Sequence, residues 1–256
     1  MRAGSSKRWL LAPGLLFGLA VLLVGEAALA FRGEGSPEAP GSPNEVVGPP
    51  DGAPLALAVL GDSTGSGVGA VTQDLGYPRR VARAVADRHD RRVHLNVLAV
   101  SGARVNDVLT DQLPRLEGRP DVILLVIGGN DVINLTAPGR ARADLDAVLT
   151  ALGRRGVPVI VSGIPAMGTI TRVLQPLRAV TGIIAAAIYD PIWRDETSRH
   201  RMLRVELAAL TGPQFSRDHS LMAPDGFHPG PRGYAAWAEA FIPAVERAAG
   251  LTPTGR

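Results

Sequence analysis

From residue 55 onward the chain alternates between short, uninterrupted apolar runs and longer stretches with helical spacing. Residues 55–60, 93–100, 122–127 and 157–162 are continuous and rich in branched side chains, as expected of strands buried on both faces of a parallel sheet. Between them, residues 78–89, 105–116 and 140–154 read as helices. The last of these sets Leu145, Val148, Leu149 and Leu152 at helical spacing. Residues 183–188, 196–210 and 232–249 follow as further helices. The final one carries Tyr234, Trp237, Phe241 and Val245 on one face, a core-packing stripe. This alternation predicts a three-layer α/β fold, with helices on both sides of a parallel sheet of about five strands. Such sheets hold ligands beyond the carboxyl ends of their strands, so the residues after each apolar run are the ones to inspect.

The first 54 residues follow a different pattern. Arg2, Lys7 and Arg8 precede a run of 15 uncharged residues, Leu10 to Val24, and a small-residue pair, Ala28 and Ala30. Residues 1–31 thus read as an export signal or as an N-terminal membrane anchor, and either places the body outside the cytoplasm. Residues 32–54 are dense in Gly, Pro, Ser and acids and read as a disordered linker. Residues 55–250 form the folded domain, and 251–256 a flexible tail.

Composition removes several function classes. Without cysteine there is no disulfide scaffold, thiolate metal site or sulfur nucleophile. Setting aside the three leading cations leaves 24 basic against 24 acidic residues, so the net charge of +3 belongs to the leader. The Arg pairs are scattered among acids, which argues against a nucleic-acid partner. Lys7 is the only lysine, which leaves no lysine for a phosphate-binding loop in the folded part. No His pair has metal-ligand spacing, and neither a metal nor another cofactor is expected.

At the predicted strand ends stand Gly61-Asp62-Ser63, then Ser101-Gly102-Ala103, then Gly128-Gly129-Asn130-Asp131. Asp225-Gly226-Phe227-His228 precedes the last helix. Acyl transfer to a serine needs a base beside the hydroxyl, a carboxylate to orient that base, and donors for the oxyanion. Ser63 on a glycine-lined turn suits the nucleophile. His228 suits the base, and Asp225, three residues away on a loop, the orienting carboxylate. Gly102 can offer an unobstructed N–H and Asn130 a side-chain amide. His89, His94 and His200 read as surface residues, and His219 as a weak rival base. Asp62 and Asp131 read as structural.

These four blocks resemble those of the SGNH hydrolases, the GDSL esterase/lipase superfamily, across nearly all of the folded part. The resemblance implies a flavodoxin-like sheet, a triad of Ser63, Asp225 and His228, and an oxyanion hole from Ser63 N–H, Gly102 N–H and Asn130. Thr64 departs from the Leu or Ile that many members carry there. The expected function is hydrolysis of acyl esters or thioesters through an acyl-enzyme. An envelope O-acyltransferase and a non-catalytic binding module remain as alternatives. Residues 163–178 follow the fourth predicted strand, where Ile164, Met167, Ile170 and Leu174 are expected to wall an acyl site, with Gly129 leaving room for the ester carbonyl. The partner is then a small-molecule or lipid-like acyl ester, with a membrane tether through the N-terminus as a further expectation.

Overall fold

The computed structural model describes residues 39, 41 and 43–252. Among these residues, six strands form one sheet: β1 (Asn44–Val47), β2 (Ala53–Gly61), β3 (Arg91–Val97), β4 (Val122–Val126), β5 (Val159–Ser162) and β6 (Leu203–Val205). Their order is β1-β3-β2-β4-β5-β6. Every neighbouring pair is parallel except β1 with β3. Setting β1 aside, the order is that of a flavodoxin-like doubly wound sheet, whose winding reverses between β2 and β4. The crevice at that reversal is where the carboxyl ends of these two strands deliver Ser63 and Asn130.

Among the described residues, eight α-helical segments accompany the sheet: α1 (Tyr77–His89), α2 (Val105–Asp107), α3 (Gly129–Ile133), α4 (Pro138–Gly153), α5 (Leu177–Ile184), α6 (Asp190–Arg199), α7 (Leu207–Arg217) and α8 (Pro231–Ala248). Strand alternation divides the core in two. Leu55, Leu57 and Val59 of β2, with Leu124 of β4, meet Val81 and Val85 of α1 and the Tyr234, Trp237 and Phe241 stripe of α8. Ala58, Leu60, Ile123 and Leu125 face the other way, onto Leu145, Val148 and Leu149 of α4 and Trp193 of α6. The sheet is covered on both faces, which is why its central strands are apolar throughout.

Four expectations need correction. The stretch 32–54 is not linker throughout, because Asn44–Val47 adds an antiparallel edge strand to β3 and β2 begins at Ala53. Val47 is buried in the core and Glu45 pairs with Arg79, so this strand closes an otherwise open sheet edge. The stretch 196–210 is not one helix. Arg201 takes a left-handed conformation (φ 54°) just beyond α6, and the three-residue strand β6 precedes α7. No glycine marks that reversal, and three residues are too few for a periodic signal. The stretch 105–116 runs from α2 through a π turn (Val108–Gln112) into a 3-10 turn (Leu113–Arg115). Residues 183–188 likewise belong to a longer run, from α5 through a π turn (Ala185–Tyr189) into α6.

Among the described residues, no helix is long and apolar enough to cross a membrane. The uncharged run at 10–24, and with it the signal or anchor, lies outside the described residues, as do residues 253–256 of the tail.

Candidate active site

The turn after β2 is built by its own polar groups. Asp62 Oδ1 accepts from the Thr64 amide (3.0 Å) and the Thr64 hydroxyl (2.8 Å), and Val68 N donates to Ser63 O (3.0 Å). Burial pushes the Asp62 carboxyl above its ordinary range, against the pull of the Thr64 hydrogen bonds and nearby His228. From below, the fully buried Gln112 grips the end of β2: its Oε1 accepts from Gly61 N (2.9 Å) and its Nε2 donates to Gly61 O (2.7 Å). Ser63 is thus held on a turn secured from both sides. Gln112 was not singled out from sequence, although a lone amide between Leu109 and Leu113 was the available signal.

Residues 222–229 form a tight hairpin that lies on this turn. Met222 and Pro229 bridge antiparallel, and Ala223 N donates to His228 O (2.8 Å). Gly69 permits the contact, since with φ +87° a side chain there would meet Pro229 O at 2.6 Å. Inside the hairpin, Asp225 Oδ1 accepts from the amides of Phe227 and His228, both at 3.0 Å. Its Oδ2 lies 2.6 Å from His228 Nδ1, and His228 Nε2 lies 2.8 Å from Ser63 Oγ. Carboxylate, imidazole and hydroxyl therefore stand in one hydrogen-bonded line. Burial alone would raise the Asp225 carboxyl, but hydrogen bonds from the His228 ring and the two amides outweigh it and hold the group at about 2.

Gly102 and Asn130 flank the same turn. Val100 N donates to Gly61 O (3.1 Å), which ties the turn holding Gly102 to the end of β2. Asn130, near the start of α3, donates from Nδ2 to Ala103 O (2.9 Å). An amide nitrogen carries two hydrogens, so one remains for a ligand. Asp131 is buried beside it, and its Oδ2 accepts from Val105 N (3.1 Å). Burial raises that carboxyl, and it serves to start α2. Gly128 opens α3 at φ +119°, where an added Cβ would lie 2.5 Å from Trp193 Cζ2 and 2.6 Å from Ile164 Cδ1. Gly128→Ala is expected to lower stability by about 3 kcal/mol through combined strain and overpacking. The midpoint and slope of urea unfolding check this.

A cleft of about 700 Å3, mouth included, opens beside Ser63 and His228. Asp62, Gly129 and Asn130 line its polar end; Met167, Ile170, Phe215, Met222, Phe227 and Trp237 line the rest. Two expected wall residues are elsewhere. Ile164 points inward, buried in the core with Trp193 and touching Gly128. Leu174 is 57% exposed and does not line the cleft. The loop leaves β5 with Gly163 N held by Val205 O (2.8 Å) and Ile164 N by Asp190 (3.1 Å), which turns Ile164 into the core and carries Met167 and Ile170 over the site. Gly102 is exposed and does not line the cleft. Phe215, Met222, Phe227 and Trp237 were not anticipated as wall residues, although Met222 and Phe227 flank the Asp225–His228 block.

The remaining histidines do not reach Ser63. His89 is not a plain surface residue: its Nε2 pairs with buried Glu246 (3.1 Å). His200 pairs with Asp146 (2.8 Å), while His94 and His219 are exposed. Asp146, Glu196 and His200 place one donor atom each within 4.8 Å of one another. Arg142 and Arg199 already hold Glu196 at 2.5 and 2.7 Å, however, so the group is an ion-pair network joining α4 to α6.

The profile describing the GDSL-like Lipase/Acylhydrolase family matches residues 59–236. A GDSL-like esterase of Mycobacterium tuberculosis (strain ATCC 25618 / H37Rv) is 29% identical over 198 residues, 75% of this chain and 62% of that protein. The chain therefore spans about three-fifths of the length of that relative. Among solved structures, an alpha/beta hydrolase enzyme from the metagenome of Lake Arreo, Spain, superposes with TM-score 0.61 at 22% identity, covering 79% of this chain and 98% of that one. An extracellular lipase of Streptomyces rimosus superposes with TM-score 0.56 at 24% identity, covering 76% and 99%.

Proposed function

The chain belongs to the GDSL-like lipase/acylhydrolase family, whose members hydrolyse ester bonds, and we propose that it does so through an acyl-enzyme on Ser63. The observation that carries this reading is the line from Asp225 Oδ2 through His228 to Ser63 Oγ, with contacts of 2.6 and 2.8 Å. His228 Nε2 takes the proton of Ser63 Oγ as the oxygen attacks the ester carbonyl carbon. Asp225 receives Nδ1–H, which fixes the tautomer and stabilises the imidazolium. The oxyanion receives hydrogen bonds from the free N–H of Asn130 and from the amides of Ser63 and Gly102. Collapse of the tetrahedral intermediate expels the alcohol, which takes the proton from His228. Water, deprotonated by the same imidazole, then releases the acid.

The apolar lining of the cleft supports an acyl chain as the recognised portion, with Met167, Ile170, Phe215 and Phe227 around it and Gly129 beside the carbonyl. The relative from Mycobacterium, itself described as an esterase, supports the same chemistry. The cationic start and uncharged run before residue 25 favour action outside the cytoplasm.

A fluorophosphonate ester tests the nucleophile. Peptide mass mapping is expected to place one phosphonyl group on Ser63, with loss of esterase activity in step with labelling. Modification at another serine, or labelling that leaves turnover intact, would overturn the assignment. Product analysis in the presence of an added alcohol separates hydrolysis, which yields free acid, from acyl transfer, which yields a new ester.

A further inference from the structure

The run from α5 into the following π turn carries an apolar face that is turned outward. Ala179, Val180, Ile183, Ala186, Ala187 and Ile188 are all exposed, and Ile183 is 66% exposed. Those positions recur at helical spacing, whereas the intervening Leu177, Gly182, Ile184 and Ala185 turn inward. A helix on a globular protein normally presents charge to solvent, so a solvent face with no polar side chain is unusual. Two further exposed residues extend it. Leu174 precedes α5, and Leu135 (66% exposed) is brought near the far end because Tyr189 Oη donates to the adjacent Thr136 O at 2.6 Å.

This face adjoins the mouth of the cleft. Gly182 of α5 packs directly on Gly168, where an added Cβ would lie 2.8 Å from the Gly168 Cα. Gly168 stands between Met167 and Ile170, two of the cleft's wall residues. α5 also packs against α3, which carries Asn130. The exposed apolar surface and the cleft wall are therefore separated by roughly one helix diameter, ~10 Å.

Charge indicates what covers this face. Between residues 164 and 189 the only charged side chains are Arg172 and Arg178, with no acid. We propose that this face docks on an anionic lipid surface, its apolar side chains entering the headgroup boundary, Arg178 at its flank facing lipid phosphates, and the cleft mouth beside the bilayer. Interfacial helices combine these two features, an apolar face and cationic flanks. A second copy of the chain fits less well, because a two-fold interface through this face would bring Arg178 toward its own counterpart. The surface goes beyond the esterase reading and does not depend on Ser63.

The absence of cysteine makes the test direct. Full-length Ile183→Cys protein carrying an environment-sensitive dye, on a Ser63→Ala background, is mixed with phosphatidylglycerol or phosphatidylcholine vesicles. A blue shift with phosphatidylglycerol, roughly tenfold weaker binding to phosphatidylcholine and loss of the difference in high salt are expected. A dye at Arg83→Cys, on exposed α1 across the sheet, is expected to stay unshifted. An Ile183 dye that keeps its aqueous spectrum on vesicle-bound protein overturns the proposal. So does a shift produced by protein concentration alone, which marks a second copy as the occupant.

Ile183→Glu with Ile188→Glu provides the second measurement. Hydrolysis of an ester held in phosphatidylglycerol vesicles is expected to fall about tenfold or more, with hydrolysis of a dissolved short ester unchanged. Equal loss on both substrates, or on neither, overturns the proposal. Failure of the Ser63 assignment would leave the dye measurement intact, so the two readings fail separately.

Discussion

Ser63→Ala is expected to lower kcat/KM on a dissolved p-nitrophenyl ester by roughly ten-thousand-fold or more. On the proposed mechanism the substitution removes the attacking atom and leaves the cleft, the base and the oxyanion donors in place. Any residual rate then reflects those donors and substrate binding. Stability is expected to change by only about 1 kcal/mol. Ser63 Oγ meets His228 Nε2 at the edge of an open cleft, so water can take its place beside the imidazole. The turn itself rests on Asp62, Thr64 and Gln112, none of which contacts the lost oxygen. The measurement is therefore paired: steady-state kinetics beside thermal unfolding of both proteins. Activity within tenfold of the unaltered enzyme, at undiminished stability, would remove Ser63 from the mechanism.

What the sequence made legible, and what it concealed, have separate physical origins. Strands β2, β4 and β5 were readable because both faces of a central parallel strand are buried, leaving apolar runs, while β3 buries Val93, Leu95 and Val97 in alternation with His94 and Asn96. The edge strands β1 and β6 carry no such run, and Arg201 reverses the chain without a glycine to announce it. Ser63, Asp225 and His228 stood out because a hydroxyl, a carboxylate and an imidazole beside glycines at strand ends have few other uses together. The cleft wall was much less legible. Trp237 belongs at once to the core stripe of α8 and to the cleft, and burial of an indole demands the same residue in either place. Ile164 and Leu174 failed as wall residues for the complementary reason. An apolar residue in a loop does not reveal which way it points, and here backbone hydrogen bonds to Val205 and Asp190 decided that.

Asp225→Asn should separate a carboxylate that orients a base from one that merely holds a turn. Asn retains an oxygen for the amides of Phe227 and His228, both at 3.0 Å from Oδ1 in the native hairpin. Its nitrogen must then face His228 Nδ1, which lay 2.6 Å from the native Oδ2. Rotating the amide by half a turn instead sets its NH2 against two backbone donors, so that alternative is disfavoured. With a donor facing Nδ1, the ring carries its proton on Nε2 and cannot accept one from Ser63. The expected loss in kcat/KM is roughly a thousand- to ten-thousand-fold, with the hairpin preserved. A second readout follows from the Asp225 carboxyl, held at about 2 against an ordinary 3.8. A carboxyl depressed in the native state stabilises it at pH above the unfolded value, and that stabilisation is lost as pH falls through the native one. The unaltered protein is therefore expected to lose about 2 kcal/mol relative to Asp225→Asn between pH 5 and pH 2, measured by denaturant unfolding. Activity loss without this pH-dependent difference would mean that the carboxylate is not paired as described. The pH-dependent difference without activity loss would leave Asp225 a turn residue and His228 without its orienting partner.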